Sequence, residues 1–404
     1  MKSPTHGSPH IAQSSKKRVF MGGSSSSSSG FKDVEVLETA PSSKIISKPT
    51  SSKKKKVVCE IIDLDLEEDH GDVLVIDKKA DRKGKCKKTS SKDGSQSMSS
   101  NVDPEILRNF ELFKKFDTVE DCSDNHFFAT EKASNKPSKN WAKRIQEEWK
   151  ILQNDLPDTI FVRVSESRMD LLRAVIVGAE GTPYHDGLFF FDICFPASYP
   201  NSPPKVYYHS GGLRINPNLY QCGRVCLSLL NTWNGQSKNE KWVPKVSTML
   251  QVLVSIQGLI LNVKPYFNEP GYESTSGTKS GEESSLRYNE NTFIHSLQTM
   301  VYSMNRPPKY FEALVVGHYC KLARDILLSC KAYLEGVQVG CLVRGGVQDV
   351  DEGDQRCSEN FKHRLAGFII TLIETFTRIG AKDCQEFHSL AQKVNGPATL
   401  NKKG

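Results

Sequence analysis

The segment that decides how this chain folds reads Asn216-Pro217-Asn218-Leu219-Tyr220-Gln221-Cys222-Gly223-Arg224-Val225-Cys226-Leu227-Ser228-Leu229-Leu230. It lies in a long stretch without helical or strand periodicity, from Gly211 to about Lys241. A rigid crossing with four prolines, residues 196–204, precedes that stretch, and an apolar helix is predicted after it, over residues 247–261. Long irregular segments held between rigid elements often carry functional residues, so this one is the first candidate for a site.

The residues before this segment predict one helix followed by a sheet. Ser138 is a candidate N-cap for a helix reaching about Asn154, with an apolar stripe of Trp141, Ile145, Trp149 and Leu152. Four strand-like runs follow, at 160–164, 171–177, 188–195 and 205–208. Their short links favour an antiparallel meander over a parallel sheet with crossover helices.

Helical patterns also flank the central region. Pro104 to Phe116 has nearly helical apolar spacing, with Ile106, Phe110 and Phe113 on one face. Downstream, helices are predicted over 290–304, 310–333 and 360–379, and a glycine-rich loop over 337–354. The predicted domain organisation is a tail (1–100), a short helical motif and linker (101–137), a core (138–305) and a helical C-terminal extension (306–404).

Composition and charge exclude several classes of function. Of 404 residues, 37% are hydrophobic and 25% charged, and no run approaches the ~18 apolar residues of a membrane-spanning helix. The first hundred residues hold 19 Lys and Arg against 13 Asp and Glu, nearly the whole net charge of +7. The remainder is close to neutral, so neither a membrane nor a specific nucleic acid is an expected partner. Eleven cysteines, without tight spacing, indicate reduced thiols.

The serine-rich, basic tail of residues 1–100 is predicted to be disordered, because it has too little apolar area to offset its conformational entropy. Its basic clusters at 16–18, 53–56 and 78–88 are either nuclear import signals or solvated charge. The expected location is the nucleus, the cytoplasm or both. The segment Ile61-Ile62-Asp63-Leu64 resembles a SUMO-interacting motif, or is an ordinary hydrophobic island.

Taken in order, the motifs between Trp141 and Tyr272 resemble the catalytic core of ubiquitin-conjugating enzymes. They are YHDGLFF (184–190), FPASYPNSPPKV (195–206), NPN (216–218), Gly223, Cys226-Leu227 and Trp242-Val243-Pro244. Residues 230–233, 250–261 and 265–271 are similar to the large, extended subgroup. Residues 110–121 look like its plant members.

This resemblance implies both a fold and a reaction. The fold is α+β, with an N-terminal helix, a four-stranded antiparallel meander, the active-site segment, a central helix and C-terminal helices. The reaction is acceptance of ubiquitin as a thioester and its transfer to an amine, usually that of lysine. The implied partners are ubiquitin, the ubiquitin-activating enzyme, a ubiquitin ligase and a protein substrate. ATP is consumed upstream by the activating enzyme, so no cofactor or metal is expected.

Three residues match family positions with catalytic roles. Cys226 is the candidate nucleophile, because a thioester needs a thiolate that also leaves readily; the alternatives are the nearby Cys222 and a buried, unreactive Cys226. Asn218 would stabilise the oxyanion formed by amine attack, or would only bond local backbone. Glu269 would orient and help deprotonate the lysine, whose ordinary pKa is ~10.4, or is a plain surface glutamate.

Three positions depart from the family pattern. Asn216 replaces the usual histidine before Pro217, and an amide is expected to bond backbone equally well. Ser228 stands where an aspartate often follows the nucleophile. Asn201 replaces a bulky apolar residue that contacts RING-type ligases, which indicates other ligases or direct substrate contacts. His185 and His209 are assigned no role.

Two alternative functions stay open at this stage. One is a catalytically inactive ubiquitin-binding variant, against which the presence of Cys226 argues. The other is conjugation of a different modifier such as SUMO. The transferase prediction depends on the Cys226 sulfur being reachable by an incoming acyl group.

Overall fold

The structure, a computed structural model, describes residues 104–131, 138–233, 240–343, 346–347 and 357–392. The predicted disordered tail, with its motif at residues 61–64, lies outside the described residues. The helices are α1 Pro104–Glu111, α2 Lys139–Asp155, α3 Met249–Ser255, α4 Lys279–Asn305, α5 Glu312–Leu334, α6 Glu359–Arg378 and α7 His388–Gln392. The strands are β1 Phe116–Val119, β2 Ile160–Ser165, β3 Leu171–Val177, β4 Leu188–Cys194, β5 Lys205–Tyr208, β6 Leu342–Val343 and β7 Gly346–Val347. No helix within these described ranges is long and apolar enough to cross a membrane.

The main sheet has five strands in the order β1-β2-β3-β4-β5. Strands β2 to β5 are antiparallel neighbours, with Ala174 of β3 paired to Val162 of β2 and to Phe191 of β4. This confirms the predicted α+β class and its four-stranded antiparallel meander. The central helix is also present, as α3 continued by a π-helical turn at Ile256–Ile260.

The fifth strand, β1, was not predicted. The helical pattern over Pro104 to Phe116 ends at Glu111, and Phe116 instead opens a strand parallel to β2. The edge of β2 supplies backbone partners, as when the Val162 N–H donates to the Lys115 carbonyl at 2.7 Å. The apolar spacing continues past the helix end because Phe113, one turn later, packs into the same hydrophobic cluster as Phe110.

Helices cover both faces of the sheet. The side chains of α2 and α3 pack on one face, around Ile145, Phe191 and Met249. On the other face, α4, α5 and α6 pack against Val175 of β3 and Phe190 of β4. All residues of β4 are therefore buried, unlike the many antiparallel sheets that keep one face in water.

The C-terminal helices and α1 are joined to this core. Helices α4, α5 and α6 share one hydrophobic cluster with β3 and β4. Helix α1 lies on α5, where the Phe110 side chain sits so close to Gly317 that a Cβ there would be 2.2 Å from it. The predicted helical extension thus includes elements that complete the core, and Gly317 is the residue that lets α1 approach.

Helix α2 begins as predicted and carries a buried carboxylate. The Ser138 hydroxyl caps the helix by accepting from the Trp141 N–H at 3.2 Å. Further along, Glu148 is fully buried and accepts hydrogen bonds from Arg144 Nη2 at 2.6 Å, the Tyr199 hydroxyl at 2.5 Å and the Met249 N–H at 2.9 Å. One side chain thereby joins α2, the proline crossing and the start of α3.

We predict that Glu148→Ala lowers the free energy of unfolding by about 3–5 kcal/mol, because it leaves the Arg144 charge and the Tyr199 hydroxyl without their buried partner. Urea denaturation of the full chain measures this change. The matched control is Glu147→Ala, which removes a half-exposed carboxylate 3.4 Å from Arg144 and should cost about 0–1 kcal/mol. Equal losses in the two variants would contradict the prediction.

Candidate active site

The cysteine segment forms a tight hairpin beside the edge strand β5. The Tyr220 N–H donates to the Arg224 carbonyl at 3.0 Å, and the Tyr208 N–H of β5 donates to the Gly223 carbonyl at 2.8 Å. Gly223 has a φ of +83°, and a Cβ there would lie 2.0 Å from the ring of Tyr207. Glycine is required at this turn, which fixes the path of the chain into Cys226.

Asn216 anchors the start of the segment. It is fully buried, and its Nδ2 donates to the Tyr184 hydroxyl at 2.8 Å and to the Ile260 carbonyl at 2.7 Å. Its Oδ1 accepts from the Asn218 N–H at 2.8 Å. The Asn216 side chain, which does not ionise, makes all three of these bonds. An amide therefore bonds the backbone at this position, as expected for an asparagine in place of the usual histidine.

Asn218 and Cys226 are joined by hydrogen bonds in both directions. The Cys226 N–H donates to the Asn218 carbonyl at 2.9 Å, and Asn218 Nδ2 donates to the Cys226 carbonyl at 2.8 Å. The Asn218 Oδ1 is buried and has no hydrogen-bond partner among the described residues. In this state the amide bonds local backbone, which is one of the two roles considered for it, and it does so at the residue that carries the thiol.

The Cys226 side chain is buried. The residue is only 2% exposed, and burial raises the pKa of its thiol. The positive charges of Arg224 and Arg214 and the polar side chain of Tyr220 act in the opposite direction on this pKa. Arg224 is exposed, and Arg214 and Tyr220 are half-buried, so the groups that favour the thiolate lie near the surface.

Glu269 reaches this group through an arginine. It follows the short 3-10 helix Pro265–Asn268, and its Oε2 accepts from Arg214 Nη2 at 3.3 Å. The Arg214 guanidinium in turn lies 5.1 Å from the centre of the Tyr220 ring. Three sequence-predicted residues, Cys226, Asn218 and Glu269, are therefore brought into one neighbourhood.

The proline crossing is fixed next to the same region. The Trp242 indole N–H donates to the Pro200 carbonyl at 2.7 Å, and its ring lies 5.5 Å from that of Tyr199. Asn201, directly after Pro200, is exposed, as its proposed contact with other proteins requires. Within the described residues, no group of three or more His, Cys, Asp or Glu side chains is placed to hold a metal ion.

Comparison with known proteins assigns a family to this arrangement. Residues 144–292 match the family model described as ubiquitin-conjugating enzyme. Over 70% of its length, the chain is 59% identical to a protein of Arabidopsis thaliana named putative ubiquitin-conjugating enzyme E2 38, of which the match covers 85%. The chain belongs to the ubiquitin-conjugating enzyme family.

Other Arabidopsis members of the ubiquitin-conjugating enzyme family are similarly close. The chain is 55% identical to putative ubiquitin-conjugating enzyme E2 39 over 69% of its own length and 86% of that protein. It is 60% identical to probable ubiquitin-conjugating enzyme E2 26 over 70% of its length. This match covers only about half, 51%, of the length of that relative. The resemblance found in the motifs, including its plant-like character, is confirmed.

Two histidines considered for this family member lie in buried or partly buried polar networks. His185 is 3% exposed and is held between Asp186 Oδ2 at 2.8 Å and the Tyr333 hydroxyl at 3.0 Å. His209 Nε2 lies 2.8 Å from Oδ2 of Asp192, a fully buried residue of β4.

Sequence reasoning missed Arg214, Tyr220 and Arg224, the side chains that favour the thiolate of Cys226. Tyr220 and Arg224 flank the required Gly223, and that spacing is the signal that would have placed them at the turn. Arg214 had no such signal, because its pairing with Glu269 joins positions 55 residues apart. The rival thiol, Cys222, lies exposed at the tip of the hairpin.

We predict that the rate of alkylation of Cys226 by iodoacetamide rises about tenfold per pH unit from pH 7 and reaches no plateau below pH ~8.5. The reason is that the thiolate is the reactive form and that burial holds the pKa of this thiol above its ordinary value. Peptide mass spectrometry separates Cys226 from the exposed Cys222. Arg224→Ala removes an opposing positive charge, so it should slow Cys226 at a fixed pH and leave the profile without a plateau. A plateau near pH 7 in the unaltered chain would contradict the prediction.

Proposed function

We propose that the chain is a ubiquitin-conjugating transferase that uses Cys226 as the thioester-forming nucleophile. The observation that carries this proposal is the two-way hydrogen bonding between Asn218 and Cys226 in a loop anchored by Asn216. Such a loop presents a thiol, an amide and a nearby carboxylate, Glu269, together. The family membership supports ubiquitin, its activating enzyme and a ubiquitin ligase as partners.

The proposed reaction has two acyl transfers. In the first, the Cys226 thiolate attacks the thioester carbonyl of ubiquitin on the activating enzyme, and that enzyme's thiolate leaves. In the second, a lysine amine attacks the new thioester, the C–S bond to Cys226 breaks and the amine loses one proton. ATP is consumed upstream, so the residues of this chain need only hold, orient and polarise the reacting groups.

Asn218 has donor capacity to spare for this second step. An amide nitrogen carries two hydrogens, and among the described residues only the Cys226 carbonyl takes one of them. The other is free to donate to the oxyanion that forms at the thioester carbon. The local-backbone bond then fixes the amide in position, so its structural and catalytic roles are compatible.

Glu269 is proposed to receive the incoming lysine ammonium. In the resting state it pairs with Arg214, and both side chains of this ion pair are about one-third exposed or less. They share a single contact of 3.3 Å, at the long end of the hydrogen-bond range, so a substrate lysine could take the place of Arg214. Arg214 then remains stacked near Tyr220, beside the thiol.

The tail and the cellular location belong to the proposal as well. We propose that residues 61–64 bind SUMO, since β-branched residues beside acids suit strand addition to a sheet edge. The basic clusters support a nuclear location, alone or shared with the cytoplasm. SUMO is proposed as a bound partner and not as the modifier that Cys226 transfers.

A gel assay tests the main proposal. With activating enzyme, ubiquitin and ATP, the full chain should form an adduct that a thiol reductant removes. Cys226→Ser should convert this adduct into a reductant-stable oxygen ester, and Cys222→Ser should leave the labile adduct unchanged. Absence of any adduct on a folded chain supports an inactive ubiquitin-binding variant, and an adduct with SUMO in place of ubiquitin supports the other alternative.

Asn218→Ala separates the two roles of the amide. If it donates to the oxyanion, single-turnover discharge to free lysine should slow by ~10²–10³ while thioester loading changes much less. Discharge of pre-formed thioester, followed at saturating and limiting lysine, measures the effect. A purely structural role predicts instead that loading and discharge fall together, with a lower free energy of unfolding.

A further inference from the structure

Arg163, on β2, is a buried cation without an acidic partner. The residue is 6% exposed, and no described carboxylate lies within 4.0 Å of it. Its Nη1 donates to the backbone carbonyls of Lys114 at 3.0 Å and Val162 at 2.9 Å. The Nε and Nη2 donors make no hydrogen bond to any described residue.

Aromatic rings hold this guanidinium in place. Its central carbon lies 4.0 Å from the ring centre of Phe113 and 5.4 Å from that of Phe311. Burial lowers the pKa of Arg163 to about 10, with Asp117 acting weakly in the opposite direction. Asp117 is the register neighbour of Arg163 on β1, and it also lies 3.7 Å from Lys114, so its charge acts on both cations while it makes no hydrogen bond to Arg163.

A groove of about 450 Å³ opens over this side chain, within the size range of sites that hold small ligands or peptide side chains. The residues that matter along it are Leu112, Lys114, Asp117, Thr118, Glu120 and Arg163. Its two cations and two acids balance, so the groove as a whole does not favour a multiply charged anion. A single carboxylate placed on Arg163 would meet a cation to which no described carboxylate is hydrogen-bonded.

Strand β1 borders the groove and forms the free edge of the described sheet. The carbonyls of Lys115 and Val119 face β2, because they accept from the Val162 and Glu166 N–H groups. Strand alternation therefore turns the carbonyls of Phe116 and Thr118 outward. An extended segment that adds to this edge of the sheet forms main-chain hydrogen bonds with such outward carbonyls.

We propose that this groove binds a short extended segment of an acidic partner protein, with one of its carboxylates on Arg163 and its backbone along β1. The site lies far from the thiol: β1 is at one edge of the sheet, and the cysteine hairpin bridges to β5 at the other, roughly 19 Å across four strand spacings. Occupancy of the groove is thus compatible with a loaded Cys226, and the surface suits recruitment of a substrate or ligase.

The test uses two matched fluorescent peptides of alternating valine and threonine, one with glutamate and one with glutamine at its centre. Fluorescence anisotropy with the full chain should show at least about tenfold tighter binding of the glutamate peptide, as a charge-assisted contact to arginine requires. Hydrogen exchange should show protection of residues 116–120 by that peptide. Equal affinities for the two peptides overturn the proposal.

Two variants locate the binding. Arg163→Gln should abolish the preference for glutamate over glutamine. Leu112→Glu keeps Arg163 and adds a carboxylate at the groove, on a side chain that is 68% exposed, and should weaken the glutamate peptide about tenfold. Its control, Leu328→Glu on the exposed side of α5, should have no effect. Because Leu112 is at the surface, this variant decides the matter even where Arg163→Gln fails to fold.

Further readouts separate this proposal from the transferase itself. All the groove variants that fold should form the ubiquitin thioester as the unaltered chain does. Loss of the thioester in the unaltered chain would defeat the proposed function and leave the peptide result standing. Competition by inorganic phosphate that also depends on Arg163 would mean that the groove selects a phosphate and not a peptide carboxylate, which overturns the proposal.

Discussion

The amide of Asn216 is the interaction on which the arrangement of the site depends. It links Tyr184 in the turn before β4, Ile260 at the end of the π-helical turn and the backbone of Asn218 in the cysteine segment. These three regions are far apart in sequence, and a buried polar group holds them only while every bond is made. Since asparagine has no ionisation to lose, the loop geometry is expected to be insensitive to pH. The Cys226 thiol, whose pKa is raised by burial, is one source of pH dependence in the site.

Burial and charge act against each other at that thiol. Burial at 2% exposure raises its pKa, while Arg214, Arg224 and Tyr220 favour the thiolate. The net effect is a thiol whose pKa lies above its ordinary value, so less of it is thiolate at neutral pH. The same arginine that favours the thiolate, Arg214, also pairs with Glu269.

Local patterns were sufficient for most of the elements around the site. The stripe of α2, its Ser138 cap and the meander follow from periodicity over short windows, and the site residues around Cys226 come from the resemblance of the ordered motifs to a known family. Strand β1 was missed because the aromatic spacing from Phe110 to Phe113 continues through the end of a helix, and only the open edge of β2 makes the next residues a strand. The contact of Arg214 with Glu269 and the packing of Arg163 against the Phe113 and Phe311 rings are tertiary contacts. Both bring together residues that are far apart in the sequence.

Because helices cover both faces of the sheet, the folded unit extends beyond the residues that the family model matches. The family match ends at residue 292, within α4, yet Val175, Leu188 and Phe190 of the sheet pack in one cluster with residues as distant as Phe376 and Leu390. At the other end, α1 rests on α5 through the close approach of Phe110 to Gly317. If residues 306–404 were removed, α1 would lose its support and the face of β4 that they cover would meet water. The N-terminal motif, the core and the C-terminal helices therefore stabilise one another. The surroundings of Arg163 depend on the same packing, because Phe113 comes from the N-terminal part and Phe311 from the C-terminal part.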